Sequence, residues 1–363
     1  MRGGTSTGVM VNKKDLPGDI ASRDIILRKI MGIPEYDLSG NMQITGLGRG
    51  SPTSNKLFII EVIDRSKRKV NSTLAQFASD KRQIDWSVNC GNMSSAIPMY
   101  LIDNNLIDVS SGVNKIEIFN TNTQKNTNAF IEIMNDNISD YIEIPGVVGN
   151  YPSVKLEFDN PVGVNTGLLF PTGNKIDIIC GIEVTCIDVN VPMVILNAAD
   201  VDKSGYESVE CLMSDEVLQS ILQEIWVLAG LKMKLKRVDG QLMNKHDLSN
   251  SETIPKICMV SKFSCEANIN TRYFTPQKPH RSLAVSGGGC LAVACLFEGT
   301  VAQKISSYNA ELNDCNQSHC IEIENPAGVL DIEVFMISNN VDKILYSRSA
   351  QILMKGDFVI YDS

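Results

Sequence analysis

Two residues in the first quarter of the chain, Cys90 and Lys56, have types and settings suited to moving protons. Cys90 stands between Asn89 and Gly91, just before an apolar stretch at residues 93–97 that reads as a buried helix. Unpaired N–H groups at a helix start favour a thiolate, which exchanges protons readily at neutral pH. Because a lone cysteine is also commonly a small buried hydrophobe, this residue alone leaves both interpretations open.

Lys56 follows a loop at residues 46–55 and precedes the apolar strand signal of residues 57–60. A lysine at the mouth of a buried strand loses water and becomes a usable base, whereas a lysine at an open strand edge stays solvated. The loop before it and the segment Gly3-Gly4-Thr5-Ser6 are dense in glycines and hydroxyls. Both segments predict either donors to carboxylates or ordinary turns.

Composition limits the classes of partner and of site. The 33 Lys and Arg residues against 42 Asp and Glu give a net charge of −9, which argues against nucleic-acid binding. An anionic substrate must therefore be held by local donors. The only histidines are His246, His280 and His319, and none pairs with another at metal-ligand spacing, so we expect no metal. No nucleotide-binding fingerprint stands in the right context, and we expect no cofactor. Cys315 and Cys320 flank His319, but a loop and then a strand are the better interpretation there.

The chain carries no sign of export or of membrane insertion. Its first eight residues are polar, no apolar run approaches the length of a membrane span, and the ten cysteines are scattered without paired spacing. We therefore expect a reduced, cytoplasmic protein with no membrane partner. A length of 363 residues suits two domains, each with its own core.

Alternation of apolar and polar residues predicts many short strands, including residues 115–119, 130–133, 154–158 and 320–323. Residues 351–354 and 357–361 are also predicted to form strands. Helical periodicity is confined to residues 22–31 and 215–228. The class indicated is α+β with much antiparallel sheet.

A turn of small residues opens an apolar helix twice in the chain. Asn89-Cys90-Gly91-Asn92 leads into residues 93–97, and Ser286-Gly287-Gly288-Gly289 leads into residues 290–296, with 196 positions between Cys90 and Ser286. Helices that are apolar all round must be buried. The spacing of about half the chain suggests a duplicated unit, although two glycine-rich turns also occur by coincidence.

Five motifs in order give the sequence a wider resemblance. They are Met1-Arg2-Gly3-Gly4-Thr5-Ser6, Pro52-Thr53-Ser54-Asn55-Lys56, Asp85-Trp86-Ser87 with Asn89-Cys90-Gly91-Asn92, Leu169-Phe170-Pro171-Thr172-Gly173-Asn174, and Ser286-Gly287-Gly288-Gly289-Cys290. The chain resembles, nearly end to end, the PrpF family of 2-methylaconitate cis–trans isomerases, 4-oxalomesaconate tautomerases and methylitaconate delta-isomerases.

The resemblance implies a diaminopimelate-epimerase-like fold of two similar domains, each wrapping a sheet around a central buried helix. The first domain would comprise residues 1–149 and about 340–363, the second residues 150–339. The resemblance also implies a cofactor-independent 1,3-proton shift in a small polycarboxylate, with Lys56 and Cys90 as the acid/base pair and a possible homodimer. The implied substrate-binding residues are Thr5, Ser6, Ser54, Asn55, Gly91, Asn92, Ser286 and Gly287.

Two departures from the family pattern leave other functions open. The chain begins at the Arg2 motif, where family members usually carry a further strand, so we expect an exposed sheet edge in the first domain. Thr7 stands where a lysine is common, which removes a charge near the implied carboxylate site. The alternatives are an amino-acid racemase or epimerase on the same fold, which needs a second base facing Cys90, and an inactive paralogue that binds a small acid. We expect Cys290, one turn into its helix, to be buried and inert.

Overall fold

The computed structural model describes residues 1–50, 54–86, 90–237, 239–251, 253–264, 266–309 and 316–361. Within these ranges the chain divides into two compact units, residues 1–157 with 347–363, and residues 158–346. Two long strands, Tyr151–Asp159 and Asn340–Gln351, carry the chain from one unit into the other.

The first unit is built on short and long strands with three helices. Its helices are α1 (Ile20–Met31), α2 (Gly91–Ser94) and α3 (Ile97–Asp103). Its strands are β1 (Arg2–Gly3), β2 (Ser6–Thr7), β3 (Val9–Asn12), β4 (Lys56–Asp64), β5 (Lys69–Phe77), β6 (Ile84–Asp85), β7 (Gly112–Asn120), β8 (Lys125–Met134), β9 (Asn137–Ile138), β10 (Tyr141–Ile142) and β11 (Tyr151–Asp159).

The second unit repeats this plan with longer helical insertions. Its helices are α4 (Val209–Ser214), α5 (Glu216–Lys232), α6 (Lys245–Ser249), α7 (Val285–Leu296) and α8 (Val301–Ile305). Its strands are β12 (Asp177–Ile179), β13 (Ile182–Val189), β14 (Val191–Asn197), β15 (Lys256–Ser261), β16 (Ile269–Thr275), β17 (Lys278–Pro279), β18 (Gln317–Asn325), β19 (Gly328–Ile337) and β20 (Asn340–Gln351).

The pairing of the strands confirms that the two units are similarly built. In the first unit β3–β4 is parallel, β4–β5 antiparallel, β5–β7 parallel, and β7–β8 and β8–β11 antiparallel. In the second unit β14–β15, β15–β16, β16–β18, β18–β19 and β19–β20 follow the same order of parallel and antiparallel pairs. Helices fill the two parallel crossovers of each unit, as the geometry of such crossovers requires. The duplication expected from the two turns is therefore present in the topology.

Each of these sheets has a helix on both faces, and the alternation of strand residues decides which side chain meets which helix. In β15, Ile257 and Met259 pack in the cluster that contains α5, whereas Cys258 and Val260 pack in the cluster around α7. In β4, Leu57 and Ile59 pack in the cluster that contains α1. By this alternation Lys56, the first residue of β4, lies on the sheet face opposite α1, where the central helices α2 and α3 pack. Lys256, the first residue of β15, lies on the face that packs around the central helix α7.

The central helices differ in one respect from expectation. In α7 every residue except Ser286 is buried, as predicted for a helix inside its own sheet. The apolar stretch after Cys90 is also buried, but it forms two short helices, α2 and α3, rather than one. Pro98 lies in the first turn of α3, and since proline has no N–H it cannot bond back to the preceding turn. The predicted start at Asn89 lies outside the described residues.

The other predicted elements hold, except at the C-terminus. The two periodic helices are present as α1 and α5, and residues 115–119, 130–133, 154–158 and 320–323 all lie in strands. Of the strands predicted at residues 351–354 and 357–361, only Gln351 lies in a strand; the rest of the prediction is wrong, because β20 ends there and residues 352–361 adopt no regular structure. Phe358 instead packs its ring against the α1 cluster, which explains the apolar residue without a strand.

Candidate active site

Cys90 is the residue immediately before α2, with an extended backbone at φ −134° and ψ 95°. Its carbonyl accepts hydrogen bonds from the Ser94 N–H at 3.0 Å and from Ser94 Oγ at 3.1 Å, which fixes the turn. The thiol is half-buried and lies 3.8 Å from Ser6 Oγ, to which it donates. The side chain is therefore held beside a hydroxyl at the entrance to the central helix, not packed inside the core.

Two glycines bring the segment between β1 and β2 against α2. A Cβ atom on Gly3 would lie 2.5 Å from the Asn92 carbonyl oxygen, and one on Gly4 would lie 2.4 Å from Asn92 Oδ1. Gly4 also has φ +50°, a conformation that costs L-residues free energy. These two positions accept no side chain, so the Gly-Gly pair before Thr5 is what places the Thr5 and Ser6 hydroxyls beside Asn92 and Cys90.

A chain of hydrogen bonds ties the two segments together. Asn92 Nδ2 donates to Thr5 Oγ1 at 3.1 Å, and Asn92 Oδ1 accepts from Arg348 Nε at 3.0 Å. Arg348 is a residue of β20 and is only 4% exposed. Of the predicted site residues, Thr5, Ser6, Cys90 and Asn92 are thus joined by contacts within one unit. Gly91 is the first residue of α2, between Cys90 and Asn92.

Lys56 begins β4 and is buried, with 7% of its surface exposed. The neighbouring strand brings Gly8 against it, since a Cβ on Gly8 would lie 2.8 Å from the Lys56 carbonyl oxygen and 3.2 Å from its Cβ. The same point lies 3.2 Å from Cε of Met93 in α2. Gly8 therefore lies between Lys56 and the Met93 side chain of α2, and it is close to both because it has no side chain of its own.

The two residues before Lys56 are placed differently from each other. Ser54 is half-buried in a turn. Asn55 is 1% exposed, and its Oδ1 accepts the Arg49 N–H at 2.9 Å. Its carbonyl accepts from the Phe77 N–H at 3.0 Å, which ties the loop to the end of β5. Asn55 Nδ2 is buried and has no hydrogen-bond partner among the described residues.

In the second unit, Ser286 and Gly287 are the second and third residues of α7. Ser286 is half-buried, whereas Gly287 packs so closely that a Cβ there would lie 2.3 Å from Cε2 of Tyr273. No side chain caps this helix start, because the methyl group of the N-cap residue, Ala284, cannot accept a hydrogen bond. Cys290 is fully buried, as predicted, and donates to the carbonyls of Val189 and Val191 at 3.2 and 3.1 Å. Burial raises the pKa of its thiol well above the usual value, so Cys290 stays protonated.

Two classes of feature have no counterpart in the described ranges. No group of three or more His, Cys, Asp or Glu side chains there could hold a metal ion. His319 contacts the Tyr308 hydroxyl through Nδ1 at 3.2 Å, and Cys315 lies outside the described residues. Of the described helices, none combines the length and apolar character that a membrane span requires.

Arg348 is the residue of this site that the sequence did not indicate. It lies 256 positions after Asn92, in a strand. The alternation of that strand indicates which side chains are buried, but not which residue Arg348 contacts. The hydrogen bond arises because β20 pairs with β1, Gly3 opposite Ala350, and this pairing has no local sequence signal.

Comparison with known proteins agrees with this architecture. The family model described as PrpF protein matches residues 1–361. The putative isomerase YbhH of Escherichia coli is 36% identical, with 92% of this chain and 89% of that protein covered. The 4-oxalomesaconate tautomerase of Pseudomonas putida is 30% identical, with 98% and 93% covered. A crystal structure of methylitaconate-delta-isomerase, 26% identical, superimposes with a TM-score of 0.81 over 98% of this chain and 92% of that one. The chain shares the fold of that isomerase, and the predicted α+β class is confirmed.

Proposed function

This chain belongs to the PrpF family and is an isomerase, and from that premise we propose that it catalyses a 1,3-proton shift in a small unsaturated di- or tricarboxylate. Candidate substrates are 2-methylaconitate, 4-oxalomesaconate and methylitaconate. In this proposal Lys56 and Cys90 form the acid/base pair, and neither a metal nor an organic cofactor takes part.

The proposed reaction conserves every atom of the substrate. One of the two groups removes a proton from the carbon next to the double bond, and the C–H electron pair spreads over the allylic system into the conjugated carboxylate. The other group then delivers a proton to the far carbon, so that the double bond moves by one position. The two groups recover their starting protonation states by exchange with solvent before the next turnover.

The observation that carries this proposal is the packing of residues 3–8 against both α2 and β4. Gly3 and Gly4 contact Asn92, and Gly8 contacts Lys56 and Met93. One short segment thereby places a half-buried thiol and a buried lysine on adjacent elements, with the Ser6 hydroxyl at the thiol. In this proposal the thiol and the amine act at different carbons of one allylic unit.

Carboxylate recognition is assigned to hydroxyl, amide and backbone N–H donors. The proposed substrate-binding residues are Thr5, Ser6, Ser54, Asn55, Gly91 and Asn92 of the first unit and Ser286 and Gly287 of the second. Donors fixed before the substrate arrives stabilise developing negative charge without reorganising, which is a large part of many enzymes' rate enhancement. The net charge of −9 makes such local donors necessary for an anionic substrate. The homodimer stays a prediction.

The state of Cys290 argues against the alternative of a racemase that uses one thiol from each unit. Such an enzyme needs an accessible second thiol that ionises near neutral pH. Cys290 has no exposed surface, its thiol hydrogen-bonds the carbonyl oxygens of Val189 and Val191, and burial raises its pKa well above the usual value. Single-base or thiol–lysine chemistry therefore fits this chain better than two-thiol chemistry.

The test is turnover of the three candidate acids, followed by ultraviolet absorbance as the double bond enters or leaves conjugation. We expect Cys90→Ala and Lys56→Ala each to lower kcat by at least 100-fold, the range of a lost general acid or base. Matched controls are Cys211→Ala and Lys14→Ala, which remove an exposed thiol and an exposed amine and should keep wild-type rates. In deuterium oxide the product should carry deuterium at its new saturated carbon. Wild-type rates in either site variant would refute the pair, and absence of turnover with all three acids would refute the substrate class.

A further inference from the structure

Three distant segments of the first unit meet at the side chain of Asn92: the β1–β2 segment through Thr5, the start of α2, and the last residues of β20, from 347 onward, through Arg348. We propose that Arg348 is a positioning residue for substrate recognition. By holding the Asn92 amide in one orientation, it makes the Thr5 hydroxyl a donor toward a substrate carboxylate. This inference rests on the proposed function, because it gives Thr5 and Asn92 a carboxylate to bind.

The direction of each hydrogen bond follows from what the groups can do. A guanidinium only donates, so the Asn92 atom 3.0 Å from Arg348 Nε must be the carbonyl oxygen. The other end of the amide is then the NH₂ group, which donates to Thr5 Oγ1 at 3.1 Å. A hydroxyl whose oxygen already accepts from an amide keeps its own proton for another acceptor. Without Arg348 the amide is free to rotate by half a turn and present its oxygen to Thr5, which would claim that proton.

Arg348 is rigidly held for this task. Its Nη1 donates to the carbonyl of Ser347 at 2.9 Å, and the next residue, Ser349, accepts the Gly4 N–H at 2.9 Å through its carbonyl. The guanidinium is thus bonded to both its own strand and Asn92, and it is 4% exposed. A lysine has no planar fork and cannot repeat this geometry, although it would keep the positive charge.

The backbone of Asn92 is secured independently of Arg348. Its carbonyl accepts from Ser95 Oγ at 2.7 Å and from the Ser95 N–H at 3.2 Å, and Gly3 packs against the same oxygen. Loss of Arg348 therefore releases the amide group rather than the turn. We expect the consequence to fall on affinity for the substrate, and much less on proton transfer at Cys90.

The experiment compares Arg348→Lys, Arg348→Met, Asn92→Ala and the double variant Arg348→Met with Asn92→Ala. Lys355→Met serves as the control, because it removes a cation from the same C-terminal segment, one paired with Asp103 at 2.9 Å on the surface. Two readouts are measured for each folded variant. The first is the dissociation constant for tricarballylate, a saturated tricarboxylate that has no double bond to move, by calorimetry; the second is the division of the turnover defect between KM and kcat.

We expect Arg348→Met and Arg348→Lys to weaken tricarballylate binding about tenfold or more, as for loss of a hydrogen bond to a charged group, with kcat within about threefold of wild type. The double variant should bind no more weakly than Asn92→Ala alone, since Arg348 acts through Asn92. Affinity within about twofold of wild type in both Arg348 variants, or additive losses in the double variant, would overturn the proposal. Unfolding of both variants would assign Arg348 to the fold alone and would overturn it as well.

The same data separate this inference from the proposed function. If the wild type binds tricarballylate but turns over none of the three acids, and the Arg348 variants lose that binding, the isomerase substrate class is wrong and the role of Arg348 stands. If the wild type isomerises an acid and the Arg348 variants keep its KM, the proposed function stands and the inference is refuted.

Discussion

Replacing Lys256 by methionine should make this protein more stable at neutral pH. Lys256 is the first residue of β15, and it lies on the sheet face that packs around α7. Burial lowers the pKa of its amine from 10.5 to about 8, and no described carboxylate offsets that effect. Taking an ammonium group out of water without an opposite charge costs folding free energy. Methionine keeps the length of the side chain and removes the charge.

The size and pH dependence of the gain follow from proton linkage. Below pH 8 the amine is charged in both states and the full cost is present. Between pH 8 and about 10.5 the unfolded chain binds more protons than the folded one, so stability rises with pH. A pKa lowered from 10.5 to about 8 corresponds to a cost of roughly 3 kcal/mol. Because Lys256 is half-buried and keeps some water, we expect a gain of about 2 kcal/mol from Lys256→Met at pH 7.

The assay is thermal and urea unfolding of the wild type and the variant from pH 7 to pH 10.5. About 2 kcal/mol corresponds to a rise of roughly 4–8 °C in Tm for a unit of this size. The difference between the two proteins should shrink steadily above pH 8 and vanish near pH 10.5, while other alkaline effects cancel in the comparison. Lys278→Met, at an exposed lysine in the same unit, should change little at any pH. A Lys256→Met variant less stable than wild type at pH 7, or a gain independent of pH, would refute the reasoning.

Two further predictions concern packing. Gly287→Ala should destabilise the second unit by about 1–3 kcal/mol, because its new methyl group would lie 2.3 Å from the buried ring of Tyr273. The control Ser286→Ala, on the same turn, should leave Tm nearly unchanged. Equal melting temperatures of the two variants would contradict this packing argument. Phe358→Ala should lower the free energy of unfolding of the first unit by about 1–2 kcal/mol, and its Tm with it, since the ring packs on the α1 cluster. The control is Val359→Ala, at an exposed residue. Equal effects of the two substitutions would show that the ring contributes nothing.

Local signals in the sequence predicted most of the fold because the elements obey local rules. Strands such as β7 and β18 alternate strictly, and α1 and α5 carry helical periodicity with Asp19 and Asp215 as N-caps. The strand prediction for the residues after Gln351 was wrong because a short apolar run does not by itself distinguish a strand from an irregular segment that packs on the core. Residues 357–361 are apolar enough for a strand, but Phe358 meets the α1 cluster without a ladder partner.

The candidate site could be predicted only where its residues are close in sequence or belong to a recognisable motif. Glycine pairs indicated close approach, and Gly3 and Gly4 do approach Asn92. Arg348 could not be found, because its hydrogen bond to Asn92 depends on the register of β20 against β1, which no run of neighbouring residues specifies. The partial burial of Lys256 could not be predicted either. A single lysine before a strand resembles a solvated edge residue, and only the pairing of β15 with β14 and β16 shows that it is half-buried.

The duplication also bears on why one unit carries the proposed chemistry. Lys56 and Lys256 open equivalent strands on equivalent faces, so each unit has an amine on the sheet face of its central helix; Lys56 is buried and Lys256 is half-buried. The helix starts differ: the half-buried Cys90 precedes α2, whereas Ser286 occupies the second position of α7 and Cys290, four positions later, is fully buried. A serine hydroxyl is a poor acid and base at neutral pH unless another group activates it. Only one of the two helix starts therefore has a thiol that is not fully buried. A mechanism with one thiol from each unit does not fit, and a second proton carrier would be a different type of residue. In our proposal the buried Lys56 is that second proton carrier, and the proposed chemistry is therefore double-bond migration rather than inversion at one carbon.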